Sequence, residues 1–339
     1  MRCYSCDEEI TNQNKSIEHV IPNALGGKLK LNKGLCKKRN QKFSETIDAE
    51  LIKQFHFIPE VIDADRDRKK NSKGIELVNK HGTIKKVGPY LNPKPDLHLK
   101  LTNVNKQIFA RNEEHLDKLA KQHGKNLKRK GVEVTLERVK QKSSTDKYYF
   151  QNYLSRKPGE VGFGGDDFFR AISKIALNFL LLKRANSEYS NRIIDFINGE
   201  GSTERPAYFY YPSHYIPHEV GEKEISHLLY LKGDSSMAIL YCYVELFNLE
   251  NCLVTLNEYY NGKDFEETYC LDLIAKKEIS KKVRIKLIKQ HFKDLEVISS
   301  SKAHIKNHEF KYNELLRKID LLQIQDMANE RNNDQGSTV

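Results

Sequence analysis

The sequence predicts an α+β protein: a small β-turn-β-helix module, then a larger α+β domain in which helices cover an antiparallel sheet. Three observations carry this. Residues 3–48 gather cysteines, a Glu-His pair, a Gly-Gly turn and a helix-spaced apolar stripe. Phe168–Arg184 is a nearly continuous apolar helical pattern. Ser226–Leu231, Met237–Phe247 and Cys252–Leu256 read as successive strands, with turns at Lys232–Ser235 and Asn248–Asn251. At 339 residues there is room for more than one domain. The expected division is 1–60 for the module, 61–150 for a basic connector, 151–331 for the α+β domain and 332–339 for a disordered polar tail.

In the module, Val20-Ile21 is β-branched and favours a strand that Pro22 and Asn23 would end; Gly26-Gly27 would turn the chain. Leu29, Leu31 and Leu35 supply a second strand, with turn chemistry at Asn32–Gly34. From Lys37 to Gln54, Phe43, Ile47, Leu51 and Ile52 fall on one side of a helix. Asp63–Lys73 alternates charge as an exposed connector does, and it lacks the glycine and distal acid of a calcium loop. Ile75–Val78 and Thr83–Val87 form a hairpin around His81-Gly82. Leu97–Leu101 is a strand, Asn112–Leu127 a helix, and Val132–Leu136 a strand after the basic run Lys125–Lys130.

In the second domain, Pro158–Asp167 is glycine-rich, without the spacing of a dinucleotide fingerprint, and Asp166-Asp167 starts the helix that follows. Arg170, Lys174 and Asn178 share one face of that helix, read as partly solvated. Ser190–Gly199 is a further helix and Tyr208–Tyr211 an aromatic strand. Lys276–Lys293 and Asn307–Glu330 read as helices, the latter amphipathic through Leu315, Leu316, Ile319, Leu322 and Ile324. Neither His214/His218 nor His304/His308 has convincing metal-ligand context.

The six cysteines are too few for a disulfide framework in a chain this long, and Cys242, Cys252 and Cys270 read as reduced core thiols. No run of eighteen apolar residues and no apolar leader is present, so a cytoplasmic protein that does not span a membrane is expected. The charge is unevenly placed. Residues 1–145 hold 31 Lys+Arg against 18 Asp+Glu, a net of +13; the remainder holds 57 − 31 = 26 against 46 − 18 = 28, a net of −2. A polyanionic partner of the first half is the simplest reason, because Lys and Arg near phosphates release counterions. Candidate contacts are Lys28, Lys30, Lys37, Lys38, Arg39, Lys42, Lys128, Arg129 and Lys130.

The chemistry is expected between Cys3 and Asp48. Cys3 and Cys6 form C-x2-C, with Cys36 thirty residues on, which is zinc-knuckle spacing. The fourth position is Arg39, which cannot ligate zinc, so weak or absent occupancy is expected. The β-turn-β-helix reading puts His19 on the first strand and Asn40 in the first helical turn, converging with Glu18 on one point. A neutral imidazole can take a proton from water, and a carboxylate and an amide oxygen are hard ligands for Mg²⁺ or Mn²⁺.

Over roughly residues 3–52 the motifs resemble the HNH (ββα-metal) endonucleases, in the variant reading Glu-His-x-Ile-Pro and ending in Asn. The resemblance implies His19 as the general base and Glu18 and Asn40 as ligands of the catalytic ion. It also implies Asn32 as the residue holding the loop and the catalytic His in place, and Cys3, Cys6 and Cys36 as structural zinc ligands. The function expected is metal-dependent hydrolysis of DNA phosphodiesters, with restriction or phage defence as an analogy of fold. A non-catalytic nucleic-acid-binding knuckle is the alternative, as is a nuclease gated by a ligand or partner protein at the second domain.

Overall fold

The computed structural model describes residues 1–67, 164–185, 188–200, 205–212 and 215–336, together with the strands between 75 and 150. The expected helix at 112–127, the basic run Lys128, Arg129 and Lys130, and His214 lie outside the described residues. The chain divides into two compact units, one of Met1–Lys73 with Pro158–Val339 and one of Gly74–Lys157. The N-terminal module thus belongs to the same unit as residues 158–339.

In the first unit, β1 (Lys15–His19) pairs antiparallel with β2 (Lys30–Cys36), setting Ile17 opposite Asn32, Glu18 opposite Leu31 and His19 opposite Lys30. The first strand thus ends before Val20-Ile21, where a strand was expected. Both residues turn inward and are buried beside Pro22, which cannot donate to a ladder. The second strand runs unbroken through Asn32–Gly34. Two helices, α1 (Lys37–Glu45) and α2 (Ile47–Phe55), stand where one was expected, because Thr46 leaves helical geometry at φ −116°, ψ −94°. A short α3 (Phe57–Val61) closes the module.

The second unit holds six described strands: β3 (Ile75–Asn79), β4 (Gly82–Lys86), β5 (Leu97–Leu101), β6 (Lys106–Ala110), β7 (Leu136–Val139) and β8 (Tyr149–Phe150). They form two sheets, ordered β4-β3-β8 and β6-β5-β7. The β3–β4 pair is the hairpin expected around Gly82.

The rest of the first unit centres on α4 (Asp166–Lys183), buried along most of its length. Lys174 and Asn178 are fully buried, and only Arg170 of the supposed solvated face keeps some side-chain exposure. That face is a junction with the N-terminal module. Next come α5 (Asn191–Asn198), N-capped by Ser190, and the strands β9 (Ala207–Phe209), β10 (Ser226–Asp234), β11 (Ile239–Leu246), β12 (Glu250–Asn257), β13 (Phe265–Asp272) and β14 (Lys277–Glu278). They form one antiparallel sheet in the order β14-β13-β10-β11-β12-β9. The reading of Lys276–Lys293 as a helix fails. After β14 the segment lays Ile279, Val283, Ile285 and Leu287 against the sheet core, a period of two rather than 3.6 in its apolar run, and only α6 (Lys289–Lys293) is helical. A short α7 (Leu295–Ser299) leads to the long α8 (Lys302–Gly336), which buries Leu315 and Ile319 and carries its backbone helix into the tail expected to be disordered.

Candidate active site

The turn after β1 is shaped by two glycines. Gly26 ends a 3-10 turn at Asn23–Leu25 with φ +92°, a conformation L side chains rarely adopt. A Cβ on Gly27 would fall 1.9 Å from the Ile21 carbonyl oxygen. The Asn23 side chain donates to the Gly27 carbonyl at 3.2 Å and accepts from the Asp67 backbone N–H at 2.9 Å. The fold thereby returns the chain so that α1 packs across the β1–β2 ribbon.

Successive residues of a strand point to opposite faces, and this separates the predicted residues. Glu18 is buried on the inner face. There the Asn40 amide, from the first turn of α1, approaches its carboxylate and favours the ionised form. The predicted Glu18–Asn40 juxtaposition is therefore present. His19 lies on the other face, at the end of β1, its side chain 22% exposed. The pairing register puts Asn32 on the same face as His19, as diagonal neighbours across the ribbon. Strand alternation thus turns Glu18 toward the buried side, where Asn40 lies, and His19 to the other side at the end of β1.

The His19 ring is held below its ordinary pKa, by burial first and by Lys30 next, with Asp67 opposing them. This favours the neutral ring, the form able to accept a proton. Its Nε2 is buried without a hydrogen bond, the Asp67 carboxylate lying 3.4 Å away. Asp65 and Asp67 also pair with Lys28 at 2.9 and 3.5 Å, and Asp67 with Lys30 at 3.2 Å. Two of the predicted phosphate contacts are thus engaged by the acidic segment that the sequence marked only as a connector. Lys37, Lys38 and Lys42 remain on the outer side of α1, where Lys37, Lys38, Gln41 and Lys42 help line a shallow groove of about 510 Å³.

Two residues that sequence reasoning missed complete the inner face. Lys174 of α4 donates both to Glu18 Oε1 and, at 2.7 Å, to Asp48 Oδ2. All three are at most 6% exposed. Burial works against the Lys174 charge, but Asp48 and Glu18 outweigh it, so its pKa is raised. Burial raises that of Glu18, opposed by Lys174 and Asn40. Asp48 Oδ1 is buried with no hydrogen-bond partner. Nearby, Tyr4 donates to Asn178 Oδ1 at 3.0 Å and feels both carboxylates. A buried carboxylate, an amide and a spare carboxylate oxygen are the donors a hard divalent ion takes, so the residues fit the ion the motif implies.

Cys3, Cys6 and Cys36 bring their sulfurs within 4.8 Å of one another, Cys6 and Cys36 at 3.7 Å. Burial pushes the Cys36 thiol up to about 12. On Cys6 burial also acts upward, yet the Glu8 backbone and the Cys3 and Arg39 side chains outweigh it and hold the thiol below its ordinary value. Three soft donors in mutual reach fit a zinc ion. Arg39 stands at the fourth position as a hydrogen-bond donor, and Glu8 Oε2 lies 4.0 Å from the Cys6 sulfur.

Residues 3–56 match the family model described as HNH endonuclease. No curated protein and no solved structure matches the chain. The N-terminal segment therefore resembles the HNH endonucleases and carries a cysteine cluster able to hold a metal ion, on a chain whose larger part is α+β. Among the described residues, no helix is long and apolar enough to cross a membrane.

Proposed function

We propose that this protein is a metal-dependent endonuclease that hydrolyses phosphodiester bonds in DNA, cutting at the end of β1. The observation that carries the proposal is the pairing of Glu18 with Asn40 on one side of that strand end, with His19 on the other, inside the family segment. Glu18 and Asn40 would hold the divalent ion, Mg²⁺ or Mn²⁺, which when bound supplies charge stabilisation for the phosphate and the leaving oxygen. His19 accepts the proton of the attacking water. Asn32, on the same face of the ribbon, holds the loop and His19 in place, as the resemblance implies. Lys37, Lys38 and Lys42 on α1 follow the phosphate backbone and supply affinity without reading sequence. Cys3, Cys6 and Cys36, with zinc when it is bound, pin the start of the chain to the start of α1.

The test is cleavage of supercoiled plasmid with Mg²⁺ or Mn²⁺ by the wild type and by His19→Ala. The expected loss is about 10²–10⁴-fold, the usual contribution of a general base. Equal cleavage by both proteins would remove His19 from the mechanism. A role in restriction or phage defence and a cytoplasmic location accord with this activity.

One observation favours a ligand-gated form of the same reading. A cavity of about 880 Å³ opens between α8 and the sheet, and His218 and Lys311 at its wall both bond the fully buried Glu245. That volume suits a small molecule. Gating by such a ligand predicts that cleavage depends on residues far from β1, and a Phe310→Asp variant that cuts as well as the wild type in cell extract speaks against it.

A further inference from the structure

We infer that the divalent-ion site has a third protein ligand, Asp48, and that the Lys174 ammonium stands where the ion binds. This rests on reading Glu18 and Asn40 as ligands of that ion and adds the residues that complete and oppose the site. Asp48 lies in the first turn of α2 and is 5% exposed. One of its oxygens shares the Lys174 nitrogen with Glu18. The two carboxylates therefore converge on one cationic centre. The second oxygen, Oδ1, is buried and accepts no hydrogen bond. A buried carboxylate oxygen normally has its acceptor capacity filled, and a divalent ion, which takes six or more oxygens, would engage it.

Charge points the same way. Two carboxylates and one ammonium leave a net of −2 + 1 = −1 in a buried site, whereas a divalent ion in place of the ammonium brings the site to neutrality. The ammonium comes from a different part of the chain, 156 residues from Glu18 and 126 from Asp48. Its helix also presents the Ser173 hydroxyl and the Asn178 amide nitrogen, each buried without a hydrogen-bond partner. Loading the ion thus requires the Lys174 side chain to leave Glu18 and Asp48, and α4 competes with the ion for the two carboxylates.

Mn²⁺ binding to the full chain, read from the loss of the free-ion electron paramagnetic resonance signal, tests this alongside thermal melting with and without Mn²⁺. Lys174→Gln is expected to bind Mn²⁺ at least tenfold more tightly than the wild type and to melt higher when Mn²⁺ is added. Asp48→Asn is expected to bind at least tenfold more weakly. If that variant does not fold, Lys174→Gln is compared with the charge-balanced pair Asp48→Asn/Lys174→Gln, which should lose the gain. Weakened binding by Glu18→Gln with unchanged binding by the Asp48 variants would overturn Asp48 as a ligand. Lys174→Gln with wild-type affinity or weaker would overturn the ammonium as a placeholder. Wild-type affinity in both Glu18→Gln and Asn40→Ala would instead defeat the underlying assignment of the ion site.

Discussion

Protonation of one buried histidine should loosen the nuclease module from its support. His227 of β10 is fully buried. Its Nε2 donates to the Leu25 carbonyl at 2.9 Å, in the turn beside Gly26-Gly27, and its Nδ1 accepts from the Phe247 N–H at 3.3 Å. The ring also packs edge-on against Phe247 at 4.5 Å. Burial drives its pKa down to about 4, against 6.5 for an exposed imidazole. The folded state thus holds the ring neutral while the unfolded chain takes up a proton below pH 6.5. Stability from this group is complete above pH 6.5 and drains away as the pH falls toward 4. The 2.5-unit gap corresponds to about 3 kcal/mol over the whole window and about 1.4 kcal/mol at pH 5.5. The assay is urea unfolding of the wild type and His227→Gln at pH 7.5 and 5.5. The variant should lose about 1 kcal/mol less than the wild type between the two pH values, because glutamine does not titrate. An equal loss in both proteins would refute a neutral His227 as the anchor.

Other expected outcomes are more local. Gly27→Ala places a methyl 1.9 Å from the Ile21 carbonyl oxygen and should cost at least about 2 kcal/mol in a urea melt. Lys38→Glu/Lys42→Glu should weaken DNA binding on every sequence tried. It should also flatten the slope of log affinity against log salt by about 1.8, at roughly 0.9 for each phosphate left without its lysine. With Arg39 at the fourth position of the cysteine cluster, elemental analysis after dialysis should find well under one zinc per chain. Arg39→Cys should raise occupancy to one, and stoichiometric zinc in the wild type would show that three thiols suffice.

The chemistry of short range was legible in the residues themselves. Cysteine spacing foretold the three-sulfur cluster, and the order of Glu18, the Gly-Gly turn and Asn40 foretold a carboxylate and an amide meeting across a strand and a helix. Local pattern was less dependable where two periods competed. Lys276–Lys293 carries enough charge to pass for a helix, yet its apolar residues alternate and the sheet claims them. The strand β13 was missed, since the adjacent charges Glu266 and Glu267, one on each face, break the apolar alternation of its first half.

By itself, the sequence determined that a motif of the HNH family lies near the start of the chain, that its half of the chain is basic, and that an antiparallel sheet with helices follows. Each of these depends on residues close together in the chain, where spacing and periodicity are visible. Only the tertiary structure decided that the motif belongs to one unit with residues 158–339, that His19 faces Asp67 while Glu18 faces inward, and that Lys174 reaches Glu18 and Asp48. Those facts join residues tens to more than a hundred positions apart, and the burial that makes a lysine pair with two carboxylates exists only once α4 has packed against β2 and α2.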